Sequence, residues 1–172
     1  MHDSIRATGT GSIHRTRLRR FHQLVSLSAL IVFTTSGCIL FHSHSKYRPI
    51  HQCAIDGDSA CVAQDLDKRP DELELPDDAG LTPLHLVALH CRVKVAALLL
   101  AKGANPNKEA NGNATPLHFA AQEGCIEVAR LLIDGGADIN VRDDQSRTPL
   151  GRAIAWHQDA CAQFLRDHGA TE

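Results

Sequence analysis

Aromatic side chains are scarce in this chain. Phe, Trp and Tyr together make up 4% of the 172 residues, whereas hydrophobic residues in total make up 43%. This shortage excludes a core filled by large rings and predicts one that is aliphatic and rich in alanine, as closely stacked short helices require. The length leaves room for one domain and a leader segment.

Motifs for catalysis are absent as well. The sequence has no Ser/His/Asp arrangement, no glycine-rich phosphate loop, no paired catalytic carboxylates and no H-E-x-x-H run. No two cysteines have the Cys-x-x-Cys spacing, which argues against a redox enzyme. We therefore predict a protein that is not an enzyme and that has no catalytic residue, cofactor, metal or small-molecule substrate.

Positive charge is concentrated at the start of the chain. Residues 1–37 carry five Lys/Arg and one Asp, which leaves 13 Lys/Arg and 19 Asp/Glu in residues 39–172. An acidic domain of this kind is repelled by the phosphate backbone. We therefore expect no nucleic-acid partner.

Residues 1–37 resemble a bacterial signal peptide of the lipoprotein type. A basic segment that contains Arg15, Arg17, Arg19 and Arg20 precedes the apolar run Leu24–Phe33. The following Thr35-Ser36-Gly37-Cys38 resembles a lipobox, with Thr35 in place of the usual leucine-like residue. The resemblance implies cleavage before Cys38, lipidation of Cys38, and residues 38–47 as a tether.

Other fates of the leader remain open. Leu24–Phe41 is 18 residues long, just enough for an uncleaved membrane anchor, and simple secretion or a cytosolic location are further alternatives. Lipidation and an uncleaved anchor both place the remainder outside the cytoplasmic membrane, because positive charge stays inside. Ile39 follows Cys38 where Asp is absent, which resembles lipoproteins passed to the outer membrane. The expected location is the periplasm-facing cell envelope, with the outer membrane favoured over the inner.

A fixed period organises the rest of the chain. Thr82-Pro83-Leu84-His85 recurs 33 residues later as Thr115-Pro116-Leu117-His118, and again after 33 residues as Thr148-Pro149-Leu150-Gly151. Leu98-Leu99, Leu131-Leu132 and Phe164-Leu165 keep the same spacing. The sequence is therefore built from repeated structural units.

One unit predicts two short helices and an extended finger. Thr115 is a good N-cap and Pro116 suits the first helical position, so a helix is predicted over about 116–123. Gly124-Cys125 breaks it, and a second apolar pattern predicts a helix over about 126–134. Gly135-Gly136 ends that helix. Residues 137–147 then form the finger, with turn residues at its tip.

The period and the T-P-L-H motif resemble the ankyrin repeat. The resemblance implies an all-α ankyrin-repeat solenoid, in which each helix-turn-helix unit carries a β-hairpin finger. About four repeats are expected, at 48–80, 81–113, 114–146 and 147–172, and the two terminal ones are degenerate. In the first, Arg48-Pro49-Ile50-His51 replaces the motif at an offset of 34. The motif implies that His85 and His118 are structural, bonded locally and to the neighbouring repeat.

The resemblance also implies a function in protein binding. Ankyrin stacks present a concave surface made of first helices and finger tips, which predicts a non-enzymatic protein-interaction module. A protective accessory or an immunity protein for a periplasmic enzyme or toxin is the alternative. The expected partner-binding residues are Leu86, Leu89, His90, Phe119, Gln122, Glu123, Arg152 and Trp156 on the first helices and Lys108, Arg142, Asp143 and Asp144 on the fingers.

Five cysteines remain after Cys38, an odd number for an oxidising compartment. Cys53 and Cys61 are one candidate disulfide, across the helix pair of the first repeat. Cys91 and Cys125 at the helix breaks of adjacent repeats are a second. Small buried thiols in place of Val or Ala are the alternative for each pair.

Overall fold

The computed structural model of the protein describes residues 49–172. The leader, Cys38 and the tether to residue 47 lie outside the described residues. Within them the chain forms eight α-helices and one short 3₁₀ helix, Pro70–Glu74, and no β-strand. The α-helices are α1 (Pro49–Asp56), α2 (Ser59–Lys68), α3 (Pro83–Leu89), α4 (Val93–Ala101), α5 (Pro116–Glu123), α6 (Ile126–Asp134), α7 (Pro149–Ala155) and α8 (Asp159–Asp167).

The helices form four antiparallel pairs that stack in chain order. The first helices α1, α3, α5 and α7 lie side by side, and the second helices α2, α4, α6 and α8 form a parallel row behind them. Two helices of this length cannot bury their apolar sides alone, so neighbouring pairs complete the core for each other. The all-α solenoid is confirmed, and the predicted bounds of α5 and α6 match the structure.

The core is aliphatic, as the composition predicts. Three leucines at the 33-residue spacing, Leu99, Leu132 and Leu165, are fully buried in successive second helices. Each such side chain contributes roughly 2 kcal/mol of hydrophobic stabilisation. Alanines beside them let the helices approach closely, and they are buried as well: Ala96, Ala129 and Ala162.

The histidines of the motif connect each helix start to the next repeat. The Thr115 N–H donates to His118 Nδ1 at 3.1 Å, and the Thr115 hydroxyl lies 3.0 Å from the same atom. On the other side of the ring, His118 Nε2 donates to the carbonyl of Arg147 at 3.1 Å. His85 repeats this arrangement with Thr82 and the carbonyl of Ala114. The structural role predicted for both histidines is confirmed.

These contacts fix the protonation state of the two rings. Burial lowers the pKa of His85 and of His118 to about 4. Nδ1 of each ring faces two donors from its threonine, so a proton on that atom would face another hydrogen. Both histidines are therefore neutral at pH 7, with the hydrogen on Nε2.

The first repeat departs from the others at its second helix. Helix α2 has 10 residues where α4, α6 and α8 have 9. The extra residue turns the helix, so that Val62 and Leu66 enter the core while Cys61 and Asp65 lie half-buried at its edge. Sequence comparison placed Cys61 in the buried position of Val95, and that expectation is wrong because of this rotation.

The fingers are closed turns. One backbone hydrogen bond closes each tip, from Asp77 to Leu81, from Ala110 to Ala114 and from Asp143 to Arg147. The residue before each turn ends, Gly80, Asn113 or Ser146, has a positive φ. Because no strand occurs in residues 49–172, the hairpin character expected of the fingers is not confirmed.

A ladder of side chains joins the bases of successive fingers. Asn107 Oδ1 accepts from the Asp138 N–H at 2.7 Å, and Asn140 Oδ1 accepts from the Thr171 N–H at 2.8 Å. In the first repeat a carboxylate does the same, since Glu74 Oε1 accepts from the Asn105 N–H at 2.7 Å. Every junction between repeats therefore has one such bond.

We predict that Asn107→Ala lowers the free energy of unfolding by about 1–2 kcal/mol. The substitution removes the bond from Asp138 and a second one, from Asn107 Nδ2 to the carbonyl of Gly136 at 2.9 Å. Urea unfolding followed by circular dichroism measures the loss. Lys108→Ala, at the exposed neighbouring position, is the control and should change stability by less than about 0.5 kcal/mol. Equal stability of the two variants would contradict the ladder.

Candidate partner-binding surface

One side of the stack is formed by the ends of the first helices. Helices α3, α5 and α7 bring together three pairs of residues at the 33-residue spacing, which we call the first-helix face: Leu89 and His90, Gln122 and Glu123, Ala155 and Trp156. His90 and Glu123 are exposed, Leu89 and Gln122 are half-buried, and the Trp156 side chain is 51% exposed. The structure thus aligns five of the predicted partner-binding residues.

Trp156 is the largest apolar group on this face. It follows α7 as the C-cap residue, and its N–H donates to the carbonyl of Arg152 at 3.0 Å, which holds its backbone in place. The sequence left open whether this ring packs against the closing repeat. Half of its surface remains in water, so the ring is placed to contact another molecule.

Leu86 and Arg152 do not belong to the exposed surface. Leu86 is 3% exposed and Arg152 is 8% exposed, because these positions lie between adjacent first helices. The Arg152 guanidinium lies over the Phe119 ring, 5.4 Å from its centroid, and Nε donates to Asp143 Oδ2 at 2.9 Å. The prediction that Leu86 and Arg152 contact a partner is therefore wrong, and both residues hold the stack together.

Phe119 lies between the core and the surface. Its ring meets His85 edge-on, with centroids 5.8 Å apart and an interplanar angle of 85°. Arg152 covers one side of the ring, and the residue is half-buried. Phe119 therefore supports the first-helix face from beneath, with part of its surface left in water.

Asp143 is a structural residue as well. It is 4% exposed, and its Oδ1 accepts from the backbone N–H groups of Gln145 and Arg147 at 2.9 and 2.8 Å. Its Oδ2 accepts from Arg152 and lies 3.4 Å from Arg147 Nη2. Burial raises the pKa of Asp143, but the bonds from Arg147 and Arg152 outweigh it and hold the pKa below its ordinary value. Its predicted role in partner binding is wrong, because nearly all its acceptor capacity is used internally.

The remaining finger residues are exposed. Lys108 and Asp144 project from adjacent finger tips. Arg142 is exposed but bonded within the chain, since its guanidinium donates to the carbonyls of Ser146 at 2.7 Å and Glu172 at 2.9 Å. Lys108 and Asp144 are thus the finger residues best placed to meet a partner.

The face has its own internal hydrogen bonds. Gln122 Nε2 donates to Glu123 Oε1 at 3.0 Å, and Arg152 Nη1 donates to Gln122 Oε1 at 3.4 Å. These contacts link the exposed Glu123 to the buried charges beneath it. The middle of the first-helix face is therefore positioned before any partner arrives.

A family model of ankyrin repeats (3 copies) matches residues 50–143 and, in a second placement, residues 107–171. The matched residues make up well over half of the chain. The protein belongs to the ankyrin-repeat family. No curated protein matches the chain.

Ankyrin repeats are generally protein–protein interaction modules, and the family is typically a non-enzymatic scaffold. The buried groups of this ankyrin stack agree with that. Its two motif histidines are neutral and fully hydrogen-bonded, and burial raises the pKa of the free Cys161 thiol to about 11. None of these three groups is placed for acid–base or nucleophilic work at the surface.

The other cysteines of the ankyrin domain are paired. Cys53 is bonded to Cys61 within the first repeat, and Cys91 is bonded to Cys125 between the second and third. Among residues 49–172, no helix has the length and apolar character needed to cross a membrane. Cys38, the predicted lipidation site, lies outside the described residues.

Proposed function

We propose that this ankyrin-repeat protein captures a protein partner on its first-helix face while a lipid on Cys38 anchors it to the bacterial envelope. The observation that carries the proposal is the exposed Trp156 at the end of α7, in line with Glu123 and His90. Exposed aromatic residues on an otherwise polar surface dominate the energetics of protein interfaces. No cofactor or small-molecule substrate enters this function.

The shape and charge of the surface favour a folded protein as the ligand. Four repeats offer about 800 Å² for one standard interface. Lys108 and Asp144 at the tips carry opposite charges, and Glu123 lies at the centre. Such a mixed rim around an aromatic anchor suits a partner with its own mixed charges, and the net acidity of the domain disfavours nucleic acid.

We expect Trp156→Ala to weaken partner binding roughly 30-fold, which corresponds to about 2 kcal/mol. The loss follows from removing the largest group that a partner can cover. Capture by chemical crosslinking from the native envelope, with mass spectrometry, identifies the partner, and titration with the purified partner then gives the affinities.

Val93→Ala is the matched control. Val93 is 41% exposed and begins α4, away from the first-helix face. It should leave the affinity unchanged. Equal affinity of Trp156→Ala and the parent protein would overturn the proposed surface.

The proposed anchor makes its own prediction. The membrane-extracted protein should begin at Cys38 and carry covalent acyl groups, whereas Cys38→Ala protein should retain residues 1–37 and carry none. Intact mass spectrometry distinguishes these forms. A parent protein that retains residues 1–37 would favour the uncleaved anchor instead. The expected outer-membrane address is tested by the density at which the lipidated protein sediments with membrane fractions.

A further inference from the structure

We propose that Cys53, Cys61 and Asp65 form a zinc site when the two cysteines are reduced. The ligand atoms of these three residues, two Sγ and one carboxylate oxygen, all lie within 4.8 Å of one another. Zinc prefers thiolate, imidazole and carboxylate ligands in a tetrahedron, and an edge of that tetrahedron measures about 3.8 Å for two thiolates. The three atoms are thus already close to the required spacing.

The carboxylate gives an independent reason for a ligand here. Asp65 Oδ2 is buried and has no hydrogen-bond partner. Its other oxygen, Oδ1, accepts from Arg69 Nη2 at 3.1 Å. A buried carboxylate oxygen without a partner costs free energy. Arg69 orients the group while leaving Oδ2 available, as residues behind a metal ligand commonly do.

The sequence pattern points to the same corner of the fold. By position within the helix pair, Cys53, Cys61 and Asp65 correspond to Val87, Val95 and Leu99 of the second repeat, all fully buried. Three apolar positions have therefore changed together into two thiols and a carboxylate. The rotation of α2 leaves Cys61 and Asp65 half-buried, which gives an ion a route from solvent.

The site alternates with the disulfide described above. Reduction of the Cys53–Cys61 bond takes two electrons and two protons from a dithiol reductant, which is itself oxidised to a disulfide. Zinc then displaces the two thiol protons and binds both thiolates and Asp65, with water in the fourth position. The sulfur atoms need to separate by only about 2 Å.

The charges balance in the zinc-bound form. Two thiolates and Asp65 carry three negative charges, and the ion with Arg69 supplies three positive ones. The second cysteine pair offers a contrast, because no His, Asp or Glu of residues 49–172 joins Cys91 and Cys125 in a comparable group.

The test uses the full chain in mild detergent, reduced with a dithiol and desalted without oxygen. Co²⁺ added alone should give thiolate-to-cobalt charge-transfer absorption at one ion per chain, and Zn²⁺ should displace it. Asp65→Asn should weaken binding at least ~10-fold, and Cys53→Ser should lose the absorption. The oxidised protein should bind neither ion.

Two controls separate the site from general effects. Asp58→Asn alters a carboxylate near Cys61 but retains the N-cap of α2, so it should bind as the parent does. The Cys91→Ser, Cys125→Ser double variant should also bind normally. If the reduced parent binds no ion, the pair is a disulfide only and the proposal is wrong. Unchanged binding by Asp65→Asn and Cys53→Ser would place the ligands elsewhere and also overturn it.

Discussion

Replacing Asp143 with alanine should lower the free energy of unfolding by about 3–5 kcal/mol, a large part of the stability of a domain this size. Asp143 neutralises Arg152, which is buried and donates to it at 2.9 Å, and it also accepts two backbone N–H groups of the finger turn. Without the carboxylate, the Arg152 charge stays buried with no partner. The loss would appear as a lower urea midpoint for unfolding.

The neighbouring residue supplies a matched control for this prediction. Asp144 is exposed at the same finger tip, so Asp144→Ala should change stability by less than about 0.5 kcal/mol. Asp143→Asn retains an oxygen for the two backbone donors but loses the charge, and it should lie between the other two variants. If Asp143→Ala were as stable as Asp144→Ala, the buried ion pair would not stabilise the stack.

Acidification should destabilise the protein well above the pH at which carboxylates titrate. In the unfolded chain, histidine takes up a proton near pH 6.5, whereas His85 and His118 in the fold have a pKa of about 4. The unfolded state therefore binds more protons between these values. Stability is fully present above pH 6.5 and is lost as the pH falls towards 4, by roughly 4 kcal/mol for the two residues between pH 7 and pH 5.

The slope of stability against pH isolates the two histidines. Urea unfolding at a series of pH values should give a slope of roughly 2.5 kcal/mol per pH unit near pH 5.3. His118→Gln should halve this contribution whatever its effect on stability at pH 7, and the double variant with His85→Gln should abolish it. A slope that is the same in all three proteins would contradict the buried neutral histidines.

Much of the fold could be read from the sequence because its signals are local. A threonine before a proline fixes the start of a helix within one residue, and the Gly124-Cys125 break separates α5 from α6 where the structure does. The repeat period then extends these assignments along the chain. Only α2 resisted, since one extra residue rotates its core face without changing its composition.

The burial of the site residues could not be predicted in the same way. The register gives the side of the helix on which Leu86 and Arg152 lie, but their exposure depends on how closely the next first helix approaches. The ion pair of Arg152 with Asp143 joins residues nine positions apart across a turn, and neither residue type announces it. Long-range contacts of this kind require the packed stack.

One signal was present in the sequence and could have been used. Asn107 and Asn140 lie 33 residues apart, in the period of the repeat. Their side chains make the same bond to the following finger, at nearly the same distance. A polar residue that keeps the period outside the T-P-L-H motif thus indicates an inter-repeat hydrogen bond as well as an exposed surface.

The central claim is that a protein partner covers the first-helix face. Site-specific photo-crosslinking in intact cells tests it most directly, with a photoreactive amino acid at Glu123 on that face and, as the control, at Arg130 on the exposed side of α6. We expect one crosslinked protein from position 123 and none from position 130. Equal crosslinking from both positions, or crosslinking from position 130 alone, would contradict the account.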